Sequence, residues 1–226
     1  MSSRAQKLPP ALPPAERTVG QLVAETIKLY GDRFWPSLSI GVLPAALTIG
    51  LALTPRSTRF PLSAALVPLL LGAALVAASC VAAAKRPRAT TLSVALACGL
   101  IAFVPVPFLI ALFVLPALAW LALVGLSVPA AVTEGLGFRD ALRRGIQLAR
   151  ADYVHALGSL ATLFIVAFLT QLVLFFLLRG AGGAALWAAS FLAVMVISPL
   201  VFLGFALLYT DQAARVRLGP PDSGGA

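Results

Sequence analysis

Long uncharged runs alternate with short charged blocks along the whole chain. Five such runs are bounded by charged residues, and they cover the ranges 34–55, 60–84, 89–133, 153–178 and 180–210. A helix needs about 20 apolar residues to cross a hydrocarbon core about 30 Å thick, because its backbone must satisfy its own hydrogen bonds there. Each run is long enough for at least one crossing. The pattern therefore predicts an integral membrane protein of the all-α class, a polytopic bundle of helices.

The third run, residues 89–133, is too long for a single crossing. Its 45 residues would form a helix about 67 Å long, more than twice the thickness of the bilayer core. We place a turn between Leu112 and Pro116, which leaves two spans of about 20 residues each. A break at Pro105 and Pro107 is the alternative, and it would shorten the third span to a partial crossing. With a turn in this run, the chain has six transmembrane helices.

The basic residues favour six spans over five. Short cytoplasmic loops carry an excess of lysine and arginine. Six spans with both termini in the cytoplasm put 14 basic residues inside and only Arg56, Arg59 and Arg179 outside. Five spans would divide the same residues 9 to 8. The sequence therefore predicts a multi-pass protein of the cell membrane whose termini are both cytoplasmic.

The predicted organisation is a single membrane domain, residues 18–210, between two disordered cytoplasmic tails. The tails, 1–17 and 211–226, are polar and rich in proline or glycine, a composition that cannot bury a core. The predicted spans are 36–54, 61–84, 92–112, 116–133, 154–178 and 184–209, and the predicted interfacial helices are 18–34 and 137–151.

The two interfacial segments share one pattern of apolar positions. Apolar or small residues recur at offsets 0, 3, 4, 7, 8, 11 and 15, the spacing of one helix face, and the second copy starts 119 residues after the first. The two faces are Val19, Leu22, Val23, Thr26, Ile27, Tyr30 and Phe34, and Phe138, Ala141, Leu142, Gly145, Ile146, Ala149 and Tyr153. This pattern predicts an internal repeat of an amphipathic helix that leads into a span. A fainter third copy begins at Leu92.

Four arginines lie on the polar face of the second interfacial helix: Arg139, Arg143, Arg144 and Arg150. A helix lying in the headgroup region gains about 1 kcal/mol for each basic residue near anionic lipid. The four arginines are therefore the candidate contact with anionic lipid. The alternative is that they only set the topology and extend their charged ends to water.

One strongly polar side chain, Gln171, lies near the middle of a span. It is a candidate for a hydrogen bond to a neighbouring helix or for the lining of a cavity. Coupled transporters usually carry ionisable groups at membrane depth, and the predicted spans carry none in their interiors. Prolines in nearly every span keep a permease or channel as the alternative function, because many transporters use interrupted helices. His155 is expected at the cytoplasmic start of span five, near Asp152, as an interfacial polar residue, with a proton relay as the alternative. Glu134 and Asp211 are expected at span ends, facing water or a basic neighbour.

The sequence contains no Walker loop, dinucleotide-binding glycine pattern, zinc-ligand spacing or nucleophile elbow. We therefore predict no catalytic residues, no cofactor and no metal, and an intramembrane enzyme is the least favoured class. The net charge of +9 does not indicate nucleic acid, because the basic residues follow the membrane topology. The predicted partners are membrane lipids and either a second copy of the chain or another membrane protein.

Two stretches resemble a known family. They are RTVGQLVAETIKLYGDRFWPSL and LPALAWLALVGLSVPAAVTEGLGFRDALRRGIQLARADYVHALG, in which Pro129 and Glu134 end a span and Ala141–Arg144 lie in the helix that follows. The stretches are similar to the membrane domain of glycerophosphoryl diester phosphodiesterases and of related stand-alone bacterial membrane proteins of unknown function. The activity of that family belongs to a separate soluble barrel, for which residues 1–226 leave no room. The resemblance thus implies the membrane portion without the catalytic portion. We predict a non-enzymatic scaffold or accessory component that contacts anionic lipid or a partner at the cytoplasmic surface.

Overall fold

The computed structural model describes residues 13, 16–178, 180 and 182–218. Within this part of the chain the secondary structure is entirely helical, which confirms the predicted fold class. The eleven helices are α1 (Val19–Asp32), α2 (Phe34–Ile40), α3 (Val42–Leu53), α4 (Arg56–Ala83), α5 (Ala89–Phe103), α6 (Val106–Leu112), α7 (Val114–Val124), α8 (Ser127–Glu134), α9 (Phe138–Ala151), α10 (Tyr153–Leu178) and α11 (Gly183–Leu218).

Within the described residues, six helical stretches are long and apolar enough to cross a bilayer, as predicted. Three of them are the single helices α4, α10 and α11, and three consist of two consecutive helices joined by a bend: α2 with α3, α5 with α6, and α7 with α8. The protein is therefore a polytopic helical membrane protein.

The long third run turns at Phe113, inside the interval where the sequence places the turn. Phe113 is extended, with φ −171° and ψ 157°, and it separates the end of α6 from the start of α7. Pro116 falls in the first turn of α7, where backbone N–H groups have no acceptor within the helix. Proline therefore removes no helical hydrogen bond there. Pro105 keeps helical angles, φ −73° and ψ −18°, so the alternative break is only a bend between α5 and α6.

Small residues let the crossing helices approach closely. Gly72 of α4 faces Gly99 of α5, and a Cβ atom on Gly72 would lie 3.2 Å from the Gly99 carbonyl carbon. Gly41 faces α11 still more closely, because a Cβ atom there would lie 1.9 Å from the Met195 carbonyl oxygen. Residues Ser127–Val132 of α8 are all buried, which makes α8 an inner helix. Such close contacts supply the packing energy of helices in lipid, where no hydrophobic force drives them together.

One end of the bundle gathers the charged residues, and we call it the polar end. It consists of the last turns of α4, α8 and α11, the first turns of α5 and α10, and the whole of α1 and α9. The Arg17 side chain before α1 contacts Asp211 of α11, and the Arg33 side chain after α1 donates to the Val81 carbonyl of α4. The Lys85 ammonium donates to the Thr133 carbonyl of α8 over 3.0 Å.

Charge is distributed unequally between the two ends. Within the described residues, twelve basic and seven acidic side chains lie at the polar end. The basic side chains described at the other end are Arg56 and Arg59, and the Arg59 guanidinium donates to the Ala52 and Thr54 carbonyls at the end of α3. Arg179 lies outside the described residues.

The prediction of a disordered tail from residue 211 is wrong for residues 211–218. Helix α11 continues to Leu218, because Asp211 bonds to Arg17 directly before the α1 cap, and Gln212 and Arg215 bond to Asp152 directly before α10. The predicted N-terminal tail is likewise wrong at Arg17, which these same contacts hold in place. Most of the rest of the predicted tails, residues 1–12, 14, 15 and 219–226, lies outside the described residues.

Candidate functional site

The start of α1 places Arg17 against α11. Thr18 caps the helix: its hydroxyl accepts from the Gln21 backbone N–H over 3.4 Å, and the Gln21 side chain accepts from the Thr18 N–H over 2.8 Å. This reciprocal cap holds the helix start at one residue, directly after Arg17. The Arg17 Nη1 atom then lies 3.1 Å from the Asp211 Oδ1 atom. Asp211 is fully buried and the Arg17 side chain is 14% exposed, so this ion pair is shielded from water.

Asp152 connects the start of α10 to the last turns of α11. Its Oδ1 atom accepts from the His155 backbone N–H over 3.1 Å, the hydrogen bond of a helix N-cap. Its Oδ2 atom pairs with the Arg215 Nη1 atom over 3.0 Å, and its carbonyl accepts from the Gln212 amide over 3.2 Å. Asp152 thus caps the start of α10 and anchors the last turns of α11.

Arg215 joins the two ion pairs into one network. Its Nη2 atom donates to the Arg17 carbonyl over 2.8 Å and lies 3.4 Å from the His155 Nε2 atom. The Ser159 hydroxyl is 3.5 Å from that same nitrogen. The expectation for His155 placed it near Asp152, and the structure adds Arg215 from a helix 60 residues further along.

A second cluster surrounds Glu134, the last residue of α8. Gly135 ends that helix with a left-handed conformation, φ 68°, which glycine adopts without strain. The Glu134 Oε1 atom then accepts from the Tyr209 hydroxyl of α11 and from the Arg144 Nε atom of α9, the latter over 3.1 Å. Of the four candidate arginines, Arg144 is therefore engaged with a carboxylate of the protein itself.

The other three candidate arginines, Arg139, Arg143 and Arg150, point away from the bundle. All three are exposed, and within the described residues none of them forms an ion pair. Arg139 and Arg143 are four residues apart, and Arg143 and Arg150 are seven residues apart. This spacing puts all three on one side of α9. Residues Ala141, Gly145, Leu148 and Ala149 on the other side are buried. Helix α9 thus packs with one side and presents three free cations with the other.

Gln171 borders a cavity between α3, α10 and α11. The cavity has a volume of about 300 Å³, and its wall combines the polar side chains of Thr48, Gln171 and Ser190 with aliphatic and aromatic ones such as Phe168 and Phe175. The Thr48 hydroxyl donates to the Pro44 carbonyl over 2.9 Å. Within the described residues the Gln171 amide has no hydrogen-bond partner. Of its two predicted roles, the structure places Gln171 in the lining of a cavity.

The chemistry of the polar end is that of ion pairs and hydrogen bonds. Among the described residues, no group of three or more His, Cys, Asp or Glu side chains is arranged to hold a metal ion. Asp211 was expected to face water or a basic neighbour, and the structure shows the second, because the side chain is fully buried against Arg17. The roles of Arg17, Asp152, Gln212 and Arg215 were missed. The only signal in the sequence was their position close to span ends.

Comparison with models of protein families, with curated proteins and with solved structures finds no match for this chain. The resemblance to the membrane domain of glycerophosphoryl diester phosphodiesterases therefore stays a prediction.

Proposed function

We propose that this protein is a non-enzymatic membrane scaffold or accessory component that contacts anionic lipid, or a partner, at the cytoplasmic surface. The observation that carries the proposal is the three exposed arginines of α9, Arg139, Arg143 and Arg150, on a helix whose other side is packed into the bundle. Cations held at fixed spacing on a rigid element bind phosphate groups without the entropic cost of ordering a loop.

The charge asymmetry between the two ends supports a cytoplasmic location for the polar end. A cytoplasmic leaflet rich in anionic lipid attracts basic segments close to it. With Arg144 engaged by Glu134, the proposed lipid contact consists of three arginines, not four.

The proposed internal repeat gives α1 and α9 equivalent places in the architecture. Both helices have 14 residues, and each is followed by one corner residue, Arg33 with φ −127° and ψ 48°, and Asp152 with φ −148° and ψ 72°. Leu22 and Ala141, which occupy the same offset in the two copies, are both fully buried. These features support the duplication of one helix–corner–helix unit.

The experiment compares two triple variants of the purified protein. In the first, Arg139→Gln, Arg143→Gln and Arg150→Gln remove the exposed cations of α9. In the matched control, Arg86→Gln, Arg88→Gln and Arg217→Gln remove three exposed cations of the same end outside α9. At about 1 kcal/mol per basic residue, we expect the α9 variant to bind phosphatidylglycerol on the order of a hundredfold more weakly.

The binding is measured by native mass spectrometry, with titration of short-chain phosphatidylglycerol. We expect the control variant to keep most of the affinity. Equal affinities of the two variants would show that α9 is not a specific contact and that its arginines serve the topology alone.

The alternative function, a permease or channel for a small or lipidic molecule, has one observation in its favour, the cavity at Gln171. The walls of that cavity are mostly apolar, which suits a lipid chain better than an ion or a hydrophilic solute. Movement of a labelled lipid between the two leaflets of proteoliposomes separates this function from a scaffold, which would show none.

A further inference from the structure

The cavity between α3, α10 and α11 opens sideways, toward the lipid. Phe168 and Phe175, which line it, are 65% and 54% exposed, so its wall continues onto the outer surface of α10. Its volume of about 300 Å³ lies at the lower limit of the roughly 300–1,000 Å³ found for sites of small molecules. The space accommodates a slender apolar ligand that enters from the bilayer.

The three polar groups of the cavity lie at a common depth. Gln171 precedes the end of α10 at Leu178 by seven residues, and Ser190 follows the start of α11 at Gly183 by seven. Thr48 precedes the end of α3 at Leu53 by five. At about 1.5 Å per residue, the three groups lie about 8 to 10 Å below the end of the bundle opposite the polar end. That depth is a short way inside the hydrocarbon region, below the headgroups.

The chemistry of the wall selects the kind of ligand. Among the described residues, no charged side chain lines the cavity, so an ionic group finds no partner there at this depth. The Gln171 amide carries two N–H donors, and an unpaired amide in hydrocarbon costs free energy that a carbonyl acceptor would relieve. A lipid chain with a carbonyl group near its polar end matches both the apolar wall and the amide.

Two cations mark the headgroup level above the cavity. The Arg59 guanidinium donates to the Ala52 carbonyl over 3.3 Å, and Ala52 lies one helical turn beyond Thr48. Arg56 lies next to it and is exposed. A lipid whose chain occupied the cavity would carry its phosphate toward these arginines.

We propose that this cavity binds one acyl chain of a glycerophospholipid from the leaflet opposite the polar end, and that the ester carbonyl of that chain accepts a hydrogen bond from the Gln171 amide. The proposal is independent of the lipid contact at α9, which lies at the other end of the bundle. It assigns to Gln171 a role in ligand binding and not in contact between helices.

The experiment uses photocrosslinking in lipid nanodiscs. The probe is a phosphatidylcholine with a diazirine in one acyl chain, because a zwitterionic headgroup does not favour the arginines of α9. Mass spectrometry then locates the crosslinks. We expect them at residues 168–175 and 186–194, several-fold above those at the exposed residues Leu100, Ile101 and Val104 of the α5–α6 stretch.

Substitutions that fill the cavity test its role. Ala189→Phe places a ring in the space, and we expect crosslinking at both segments to fall to the background level of the α5–α6 stretch. Val173→Phe adds similar bulk at a residue of α10 that is 57% exposed and does not line the cavity, and it should leave the crosslinking unchanged. Ser190→Leu is the second filling variant, in case Ala189→Phe does not fold.

The hydrogen bond is tested with a second probe. Gln171→Leu should lower capture of the ester lipid about two- to tenfold, the range of one net hydrogen bond. It should not change capture of a dialkyl ether analogue, which has no carbonyl. Undiminished crosslinking in a folded filling variant would overturn the proposed site. Equal effects of Gln171→Leu on both probes would overturn the role of the amide.

Discussion

Asp211 shows at the residue scale how a buried charge holds the termini of the membrane domain together. Its carboxylate is fully buried and pairs with Arg17, 194 residues away in the sequence. Breaking such a pair leaves an uncompensated cation in a poorly solvated place. We therefore expect Asp211→Ala to lower the free energy of unfolding by about 3 kcal/mol, measured by titration of mixed micelles with sodium dodecyl sulfate.

The control for this prediction is Asp32→Ala, at an exposed residue of the same end for which no ion pair is found within the described residues. This change should lower the free energy of unfolding by less than about 0.5 kcal/mol. In a double-mutant cycle, the variant with both Arg17→Met and Asp211→Leu should lose less free energy of unfolding than the two single variants lose together. Additive losses would mean that the pair has no energetic coupling.

Helix α9 is held, at the scale of the element, by close backbone contact at Gly145 together with the buried side chains of Ala141, Leu148 and Ala149. Its Gly145 faces α8 so closely that a Cβ atom would lie 2.4 Å from the Ser127 backbone nitrogen. The atoms that a Cβ at Gly145 would meet belong to the backbone, which cannot rotate aside as a side chain can. Gly145→Ala must therefore displace α9. We expect a loss of about 2 kcal/mol in the free energy of unfolding, together with weaker binding of phosphatidylglycerol, because the three exposed arginines move with α9.

Gly20 of α1 offers the matched control, since a Cβ atom there meets nothing within 4 Å. Alanine favours helix over glycine by roughly 0.5–1 kcal/mol, so Gly20→Ala should be neutral or stabilising. A stable Gly145→Ala variant with unchanged lipid binding would contradict the close packing of α9 on α8.

The charge difference between the two ends predicts, at the scale of the whole molecule, how the protein is oriented in the membrane. The polar end carries twelve of the basic residues described, and the other end carries Arg56 and Arg59. We expect the polar end to be cytoplasmic. In a background with Cys80 and Cys98 replaced by alanine, Arg56→Cys should react with an impermeant maleimide in intact cells, whereas Arg88→Cys should react only after permeabilisation.

Arg150→Cys provides a second test of the same orientation, because it lies on α9. Like Arg88→Cys, it should react with the impermeant maleimide only after permeabilisation. Labelling of Arg150→Cys in intact cells, together with protection of Arg56→Cys, would reverse the topology and would remove the proposed contact with the cytoplasmic leaflet.

The sequence by itself determined the membrane class and the six crossings, because span length and the exclusion of charge are properties of one helix at a time. It also located the four candidate arginines of α9 and Gln171. Only the tertiary structure decided that Arg144 is paired with Glu134, that Asp211 is buried against Arg17, and that Gln171 faces a cavity. Those outcomes depend on how each helix is rotated and how closely it approaches the next. That geometry arises from packing between residues 10 to 194 positions apart, which no local pattern records.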